Sequence, residues 1–321
     1  MEQGLTVSAV ITTCRRKIHI VERALNSVLA QTCPPVEVIL VDDNRDDEEG
    51  RQLSAALLSL VEKLSAGEAA KGEGGIPIIK VKTQDGKHGA QAARNTGIHR
   101  SKGELIAFLD DDDEWLPEKL KLQRELLLKR PDAGMCFCRG YRVNQAFDPP
   151  YVNDFQGAAF KEEVTYSELL RGDCIGTTSQ AMVRRSVFEK VGDFDEELPA
   201  RQDYEMWIRI AGDFPIVGCP EYLFNYYKNG VGVQITKNWD NCIKGHSVIY
   251  RKYKKDIDSD PAAKFNVIFY MAHYHMCKGD KAGMIKYYIQ SFFINPAEFW
   301  KKGVLKLKTM KKERELVKKN A

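Results

Sequence analysis

No stretch of this 321-residue chain approaches the roughly 18 consecutive apolar residues that a membrane-spanning helix needs. The opening Met1-Glu2-Gln3-Gly4 runs straight into a strand-like segment without the pattern of a secretory leader, so the expected location is cytoplasmic. The eight cysteines stand scattered through apolar segments with no C-x-x-C pair, which excludes a disulfide framework and leaves reduced, mostly buried thiols. Histidine is scarce as well. His273 and His275 would sit about 200° apart on a helix and face away from each other, so they form no metal pair. What remains, 43% hydrophobic and 29% charged residues, is the composition of a globular protein.

The net charge of +3 is unevenly spread. Residues 301–321 carry eight lysines and Arg314 against two glutamates, which leaves the first 300 residues net acidic. With Tyr287-Tyr288, Phe292-Phe293 and Phe299-Trp300 just upstream, this tail reads either as a binder of an anionic membrane surface or as a solvated helix end. The first reading would make the protein peripheral on the inner face of the cell membrane. Nucleic acid is not an expected partner, because no recognisable binding module accompanies the charge.

Strand-like and helix-like segments alternate through the first third. Val7–Ile11, Glu37–Val41, Ile76–Val81 and Leu105–Leu109 are short β-branched or apolar runs. Between them Val21, Leu25, Val28 and Leu29, then Leu53, Leu57, Leu60, Val61 and Leu64, recur at helical spacing. Residues 65–75, small, polar and glycine-rich, read as an exposed loop. Such alternation predicts an α/β fold with a mostly parallel sheet between helices and ligands at the carboxyl ends of the strands. Three polar groups fall at such ends: Thr12-Thr13, Asp42-Asp43-Asn44 and the run Asp110-Asp111-Asp112-Asp113.

Four adjacent carboxylates repel one another and call for a compensating cation. They either form a divalent-metal site, or they are a solvated loop in which Asp112 or Asp113 caps the helix that Pro117 starts. Farther on, Arg201-Gln202-Asp203-Tyr204-Glu205-Met206-Trp207 reads as a helix start that puts Asp203 and Trp207 on one face. Read by themselves, Asp203 suits a helix cap and Trp207 a core position.

Taken in order, the segments Val10-Ile11-Thr12-Thr13, Ser27–Thr32, Glu37–Asn44, Ala93–Ile98, Lys102–Asp113, Gly192–Leu198 and Gln202–Trp207 resemble a family 2 inverting glycosyltransferase of the GT-A fold. The resemblance spans residues 7–227. It implies a Rossmann-like mixed, mostly parallel sheet over residues 1–235, with a nucleotide-sugar half to about 115 and an acceptor half over 116–235. A helical appendage with the basic tail would occupy 236–321. It further implies metal-dependent transfer of a sugar from a nucleoside-diphosphate sugar, a UDP-sugar first, to a hydroxyl of a glycan or lipid-linked acceptor in cell-surface polysaccharide synthesis.

By the same resemblance Asp42 reads the base, Thr12 and Arg94 contact the donor nucleotide, and Asp110 and Asp112 form the D-x-D pair. Asp112 then binds Mn²⁺ or Mg²⁺ while Asp110 sits nearer the ribose, and Asp111 joins the donor-binding group. Asp203 is implied as the catalytic base, and Lys228, at a glycine-containing lid over 226–232, reaches the diphosphate. Three departures stand out: Cys14 replaces an aromatic, Gln202 replaces an acidic neighbour of the base, and Asp111-x-Asp113 repeats the D-x-D spacing. The rival readings are a catalytically silent nucleotide-sugar-binding partner of another transferase and a receiver-like signalling module. The second fits poorly, since the Asp42-Asp43 pair follows the second strand and not the first.

Overall fold

The computed structural model describes residues 5–69, 74–145, 149–157, 160–228 and 238–303. The chain forms two compact units. The first comprises residues 1–166, 174–197 and 202–232, and the second residues 167–173, 198–201 and 233–321.

The first unit begins with β1 (Val7–Thr13), α1 (Ile18–Leu29), β2 (Glu37–Asp42), α2 (Glu48–Ala69), β3 (Ile78–Lys82), α3 (Ala90–Arg100) and β4 (Leu105–Asp110). These four strands pair in parallel in the order β3-β2-β1-β4. Strands β1 and β2 are buried almost throughout, as expected where helices cover a parallel sheet. In α1, Val21, Ala24, Leu25 and Val28 follow helical spacing and are buried against that sheet. Helix α3 approaches β1 so closely that a Cβ on Gly97 would lie 2.3 Å from a Val10 methyl, so only glycine fits there.

The remaining elements are β5 (Glu114–Trp115), α4 (Lys119–Lys129), β6 (Met135–Asn144), β7 (Tyr151–Asp154), β8 (Glu163–Val164), α5 (Tyr166–Arg171), β9 (Met182–Arg184), α6 (Arg185–Val191), α7 (Gln202–Asp213) and β10 (Ile216–Lys228). Antiparallel β9 joins β4 to β6, and β10 runs parallel to β6 with β5 antiparallel at its far side. The result is one mixed sheet in the order β3-β2-β1-β4-β9-β6-β10-β5.

Two expectations are corrected. Residues Ser65–Ala69 are not loop but the end of α2, where Glu68 is buried and accepts a 3.0 Å hydrogen bond from the Ile76 N–H. Neither Asp112 nor Asp113 caps the helix after Pro117, because β5 intervenes and α4 starts only at Lys119.

The second unit contains α8 (Trp239–Lys252), α9 (Lys254–Ser259), α10 (Pro261–Lys278) and α11 (Lys281–Ile294), followed by helical residues 296–303. Side chains of Asn238, Asp260 and Asp280 cap α8, α10 and α11. His246 is buried in α8 with its Nε2 3.0 Å from the Val267 carbonyl of α10, and burial pushes its pKa down to about 3. No described helix is long and apolar enough to cross a membrane.

Candidate active site

Three parallel strands end together. Thr12 of β1 stands opposite Val41 of β2 and Asp110 of β4, and Thr13 stands opposite Asp42. The carboxyl ends of β1, β2 and β4 therefore bring Thr12, Asp42 and Asp110 to one edge, where α/β sheets bind their ligands. Their electrostatic surroundings differ.

Asp42 is fully buried, with Lys80 Nζ at 2.9 Å and Lys82 Nζ at 3.3 Å from one oxygen. The other oxygen accepts from the Asn44 N–H and side-chain amide at 3.1 and 2.8 Å. Burial alone would raise its pKa, but Lys80, Ser54 and Asn44 outweigh that and hold it below the ordinary carboxylate value. Neighbouring Asp43 accepts from Thr83 and the Gly89 N–H and meets His88, pinning the loop before α3 to the end of β2.

At the end of β4 the chain turns back, with the Asp113 N–H donating to the Asp110 carbonyl at 3.0 Å. Asp110 bonds Arg94 Nη2 at 2.7 Å and accepts from the Thr177 and Thr178 hydroxyls at 2.9 and 3.1 Å. Burial pushes its pKa up, but Arg94 and the two threonines bring it below the ordinary value. Arg16 spans the next two residues, its Nε 2.8 Å from Asp111 and its Nη2 3.0 Å from Asp112. That single guanidinium does not suffice. Burial raises the Asp111 pKa to about 7, with Arg16 opposing and Asp112 adding to the rise. Asp112 is also raised, by burial and by Asp110 against the pull of Arg16. Asp113 is raised furthest above its usual range by burial together with Asp112 and Asp110, although Ser179 Oγ donates to it at 2.6 Å.

Around this cluster, Arg23 donates to the Asp112 carbonyl at 2.6 Å and lies 3.8 Å over the Tyr227 ring. The Tyr226 hydroxyl is pushed up to about 12 by burial and then by Asp113, Asp112 and Asp110. Arg94 keeps a second nitrogen, Nη1, buried and without a hydrogen-bond partner.

The strand-end geometry thus combines an under-neutralised acidic cluster with a guanidinium that retains a donor. Residues 8–192 match the sequence model described as Glycosyl transferase family 2, more than half of the chain. The chain belongs to glycosyl transferase family 2. A glycosyltransferase of Bacillus subtilis (strain 168) named for teichuronic acid biosynthesis, TuaG, is 29% identical over 249 residues, covering 77% of this chain and 88% of its own length. An Escherichia coli UDP-Glc:alpha-D-GlcNAc-diphosphoundecaprenol beta-1,3-glucosyltransferase, WfgD, is 27% identical over 61% of this chain and 66% of its own.

Among solved structures, S. aureus TarS 1-349 in complex with UDP-GlcNAc aligns over 92% of this chain and 83% of its own, with a TM-score of 0.62 and 17% identity. The mannosyltransferase PcManGT from Pyrobaculum calidifontis, in complex with GDP-Man and Mn2+, aligns over 95% and 81%, with a TM-score of 0.59 and 17% identity. The fold is GT-A, and the protein is a glycosyltransferase.

Asp203 and Lys228 lie beyond the residues matched by the family. Asp203 is the second residue of α7, half-buried, and accepts from the Tyr204 N–H at 2.7 Å. Its helix is tied to α3 through residues 191–194. Asn95 of α3 exchanges hydrogen bonds with the Phe194 backbone at 2.9 and 3.0 Å, and Arg209 of α7 donates to the Val191 and Asp193 carbonyls. Phe194 packs edge-on against Phe108 of β4 and Trp207 of α7. Trp207 is fully buried, as its core reading expects. Lys228 is exposed at the end of β10, while the rest of the expected lid, 229–232, lies outside the described residues.

Arg16, Arg23, Lys80 and Lys82 were not anticipated, nor were Thr177, Thr178 and Ser179 in the short turn before β9. The turn had a legible signal, since Thr177-x-x-Gln180 has capping-box spacing and that box forms. For Arg16 the hint was the cationic Arg15-Arg16-Lys17 directly after the first strand. The three departures also have positions. Cys14 Sγ donates to the Asp43 carbonyl at 3.4 Å, Gln202 is buried, and the second D-x-D frame, Asp111 with Asp113, holds the two side chains buried deeper than Asp112.

Proposed function

We propose that this glycosyltransferase is metal-dependent and inverting, and moves a sugar from a nucleoside-diphosphate sugar, a UDP-sugar first, to a hydroxyl of a glycan or lipid-linked acceptor in cell-surface polysaccharide synthesis. The observation that carries the reading is the acidic cluster at the end of β4, in which two arginines face four buried or half-buried carboxylates. Three of the four carry raised pKa values, so the charge is incompletely balanced.

Among the described residues no three His, Cys, Asp or Glu side chains form a closed metal cage. An open site suits the proposal. Mg²⁺ and similar hard cations are commonly held by one or two carboxylates and completed by substrate phosphates and water. Asp112, the more accessible acid beside Arg16, would hold the cation, with Asp110 toward the ribose and Asp111 closing the donor side. Such a cation supplies charge neutralisation to the departing diphosphate.

The chain's own groups carry the rest. Arg94, through its uncommitted Nη1, binds phosphate oxygen while Nη2 stays on Asp110. Thr12 and Asp42 form the nucleotide corner, and Lys228 adds a cation from the end of β10. Asp203 accepts the acceptor hydroxyl proton as the new bond forms, because a carboxylate with a reference pKa of about 3.9 cannot ionise that hydroxyl beforehand. Attack opposite the leaving group inverts the anomeric carbon.

TarS and WfgD, whose names or complexes carry UDP-sugars, support the choice of donor, and PcManGT with Mn2+ supports the choice of metal. A thermal-shift screen of nucleotide sugars with Mn²⁺ tests the donor. The Asp203→Asn variant should keep the donor-induced shift while transfer falls by about 10²–10⁴-fold. Undiminished turnover would remove Asp203 from the mechanism.

A further inference from the structure

Helix α11 is held to its unit yet leaves apolar side chains in water. Ile285, Ile289 and Phe293 are 52%, 53% and 77% exposed, and Trp300 is 64% exposed. A spacing of four sets the first three along one stripe of the helix. Ser291 is the only fully buried residue of α11. The inner side is anchored by rings: Tyr288 packs on Phe269 of α10 at 5.5 Å, and Phe299 packs on both. The outer side is continuous, because Phe292 touches Phe293 and Phe299 at 5.7 and 5.6 Å, and Phe299 touches Trp300 at 5.8 Å.

Charge decides what covers this surface. Lys281 and Lys286 are exposed beside the stripe, and no Asp or Glu occurs from residue 281 to 297. The nearest acids in sequence are already paired, Asp280 with His275 at 2.7 Å and Glu298 with Lys301 at 3.0 Å. The sequence then continues into the lysine-rich residues 301–321. A symmetric pairing of two copies through this stripe would bring Lys281 and Lys286 of both copies together, with the sequence-adjacent acids already engaged.

We propose that the Ile285–Ile289–Phe293 stripe and Trp300 form a docking face for an anionic lipid surface. The aliphatic and phenyl groups enter the boundary between headgroups and acyl chains, Trp300 sits at headgroup level, and Lys281 and Lys286 meet lipid phosphates. The face is distinct from the basic tail, and it holds whether or not the proposed donor and metal are correct.

Vesicle flotation of the full chain tests it, comparing mixed phosphatidylglycerol–phosphatidylcholine vesicles with phosphatidylcholine alone. The wild-type chain should float with the anionic vesicles only. Ile289→Ser with Phe293→Ser, tail intact, should lower partitioning at least about tenfold. Lys281→Gln and Lys286→Gln should each lower it about fivefold, an effect that high salt erases. All four positions are exposed, so an unchanged melting temperature in each variant confirms that the fold is intact. No flotation by the wild type, unchanged flotation by the serine double variant, or a light-scattering dimer that this variant dissolves without any lipid binding would each overturn the proposal.

Discussion

The ends of β2 and β4 flank the end of β1 and are built from the same residue type, and they resolve the same electrostatic problem in opposite ways. Asp42 meets two lysines and two donors from Asn44, and its pKa is lowered. At the end of β4, Arg16 and the Thr13 side chain serve Asp111, Arg16 and the nearby Arg23 serve Asp112, and Ser179 and the Tyr227 backbone serve Asp113, yet all three are raised. Burial pushes the carboxylate pKa values up at both ends. The supply of partners separates them: the first carboxylate is complete as folded, whereas the second group still lacks positive charge. A run of acids therefore announces a site only when its neighbours leave it unbalanced.

The largest effect expected from this contrast is catalytic. Asp112→Ala should reduce transfer by roughly 10²–10³-fold, the scale seen when one group stabilising developing negative charge is removed. Calorimetry should show Mn²⁺ no longer strengthening donor binding. If affinity for the nucleotide sugar is equal with and without Mn²⁺ in the wild type, the end of β4 is balanced by some means other than a cation.

Stability should respond with opposite signs at the two ends. Asp42→Asn strips the charge that Lys80 and Lys82 share and should cost about 3 kcal/mol in urea denaturation, since it breaks a buried ion pair from one side. Asp113→Asn keeps an oxygen for the Ser179 hydroxyl while deleting a charge that its neighbours repel. It should stabilise the metal-free protein, because the burial and neighbouring charges that raise the Asp113 pKa act against a carboxylate and not against an amide. Loss of stability in both variants would erase the distinction between them.

The sequence made one end far more legible than its partners. β-Branched runs located β1–β4, and helical spacing located α1, to within a few residues, because in a doubly covered sheet burial alone dictates which residues are apolar. The aspartate run was conspicuous for its charge. Its counter-charges were not, since Arg16 and Arg94 come from two other segments and the threonine–serine turn lies 67 residues beyond Asp110. Local patterns record what a residue needs, while the side chain that supplies it can come from anywhere in the chain. The long α2 was hidden for the opposite reason. Its last turns, Ser65–Ala69, look like linker by composition, yet buried Glu68 anchors them to the start of the next segment.

The smallest expected effect is the most diagnostic, because it follows from the sign of one titration. The Asp111 pKa is about 7 in the folded protein against an ordinary value of 3.8. Between those values the folded state holds a proton that the unfolded chain has released, so acidification through this window favours folding. Asp42, with its lowered pKa, does the reverse, contributing stability above the ordinary value that is lost only as pH falls through its folded pKa. Between pH 7 and 6 Asp42 is ionised in both states and contributes no slope, whereas buried His246, its pKa pushed down to about 3, gains a proton only on unfolding and opposes the effect, so the Asp111 contribution is read as the difference between the wild type and Asp111→Asn. Over that unit the metal-free protein should gain about 1 kcal/mol from Asp111. The gain should vanish in Asp111→Asn. Saturating Mn²⁺ with donor should suppress it too, since a bound cation supplies the charge balance that the proton otherwise provides. An identical pH dependence from 7 to 6 in the metal-free wild type and in Asp111→Asn would mean that Arg16 already neutralises Asp111 and Asp112, and the two strand ends would then be equivalent.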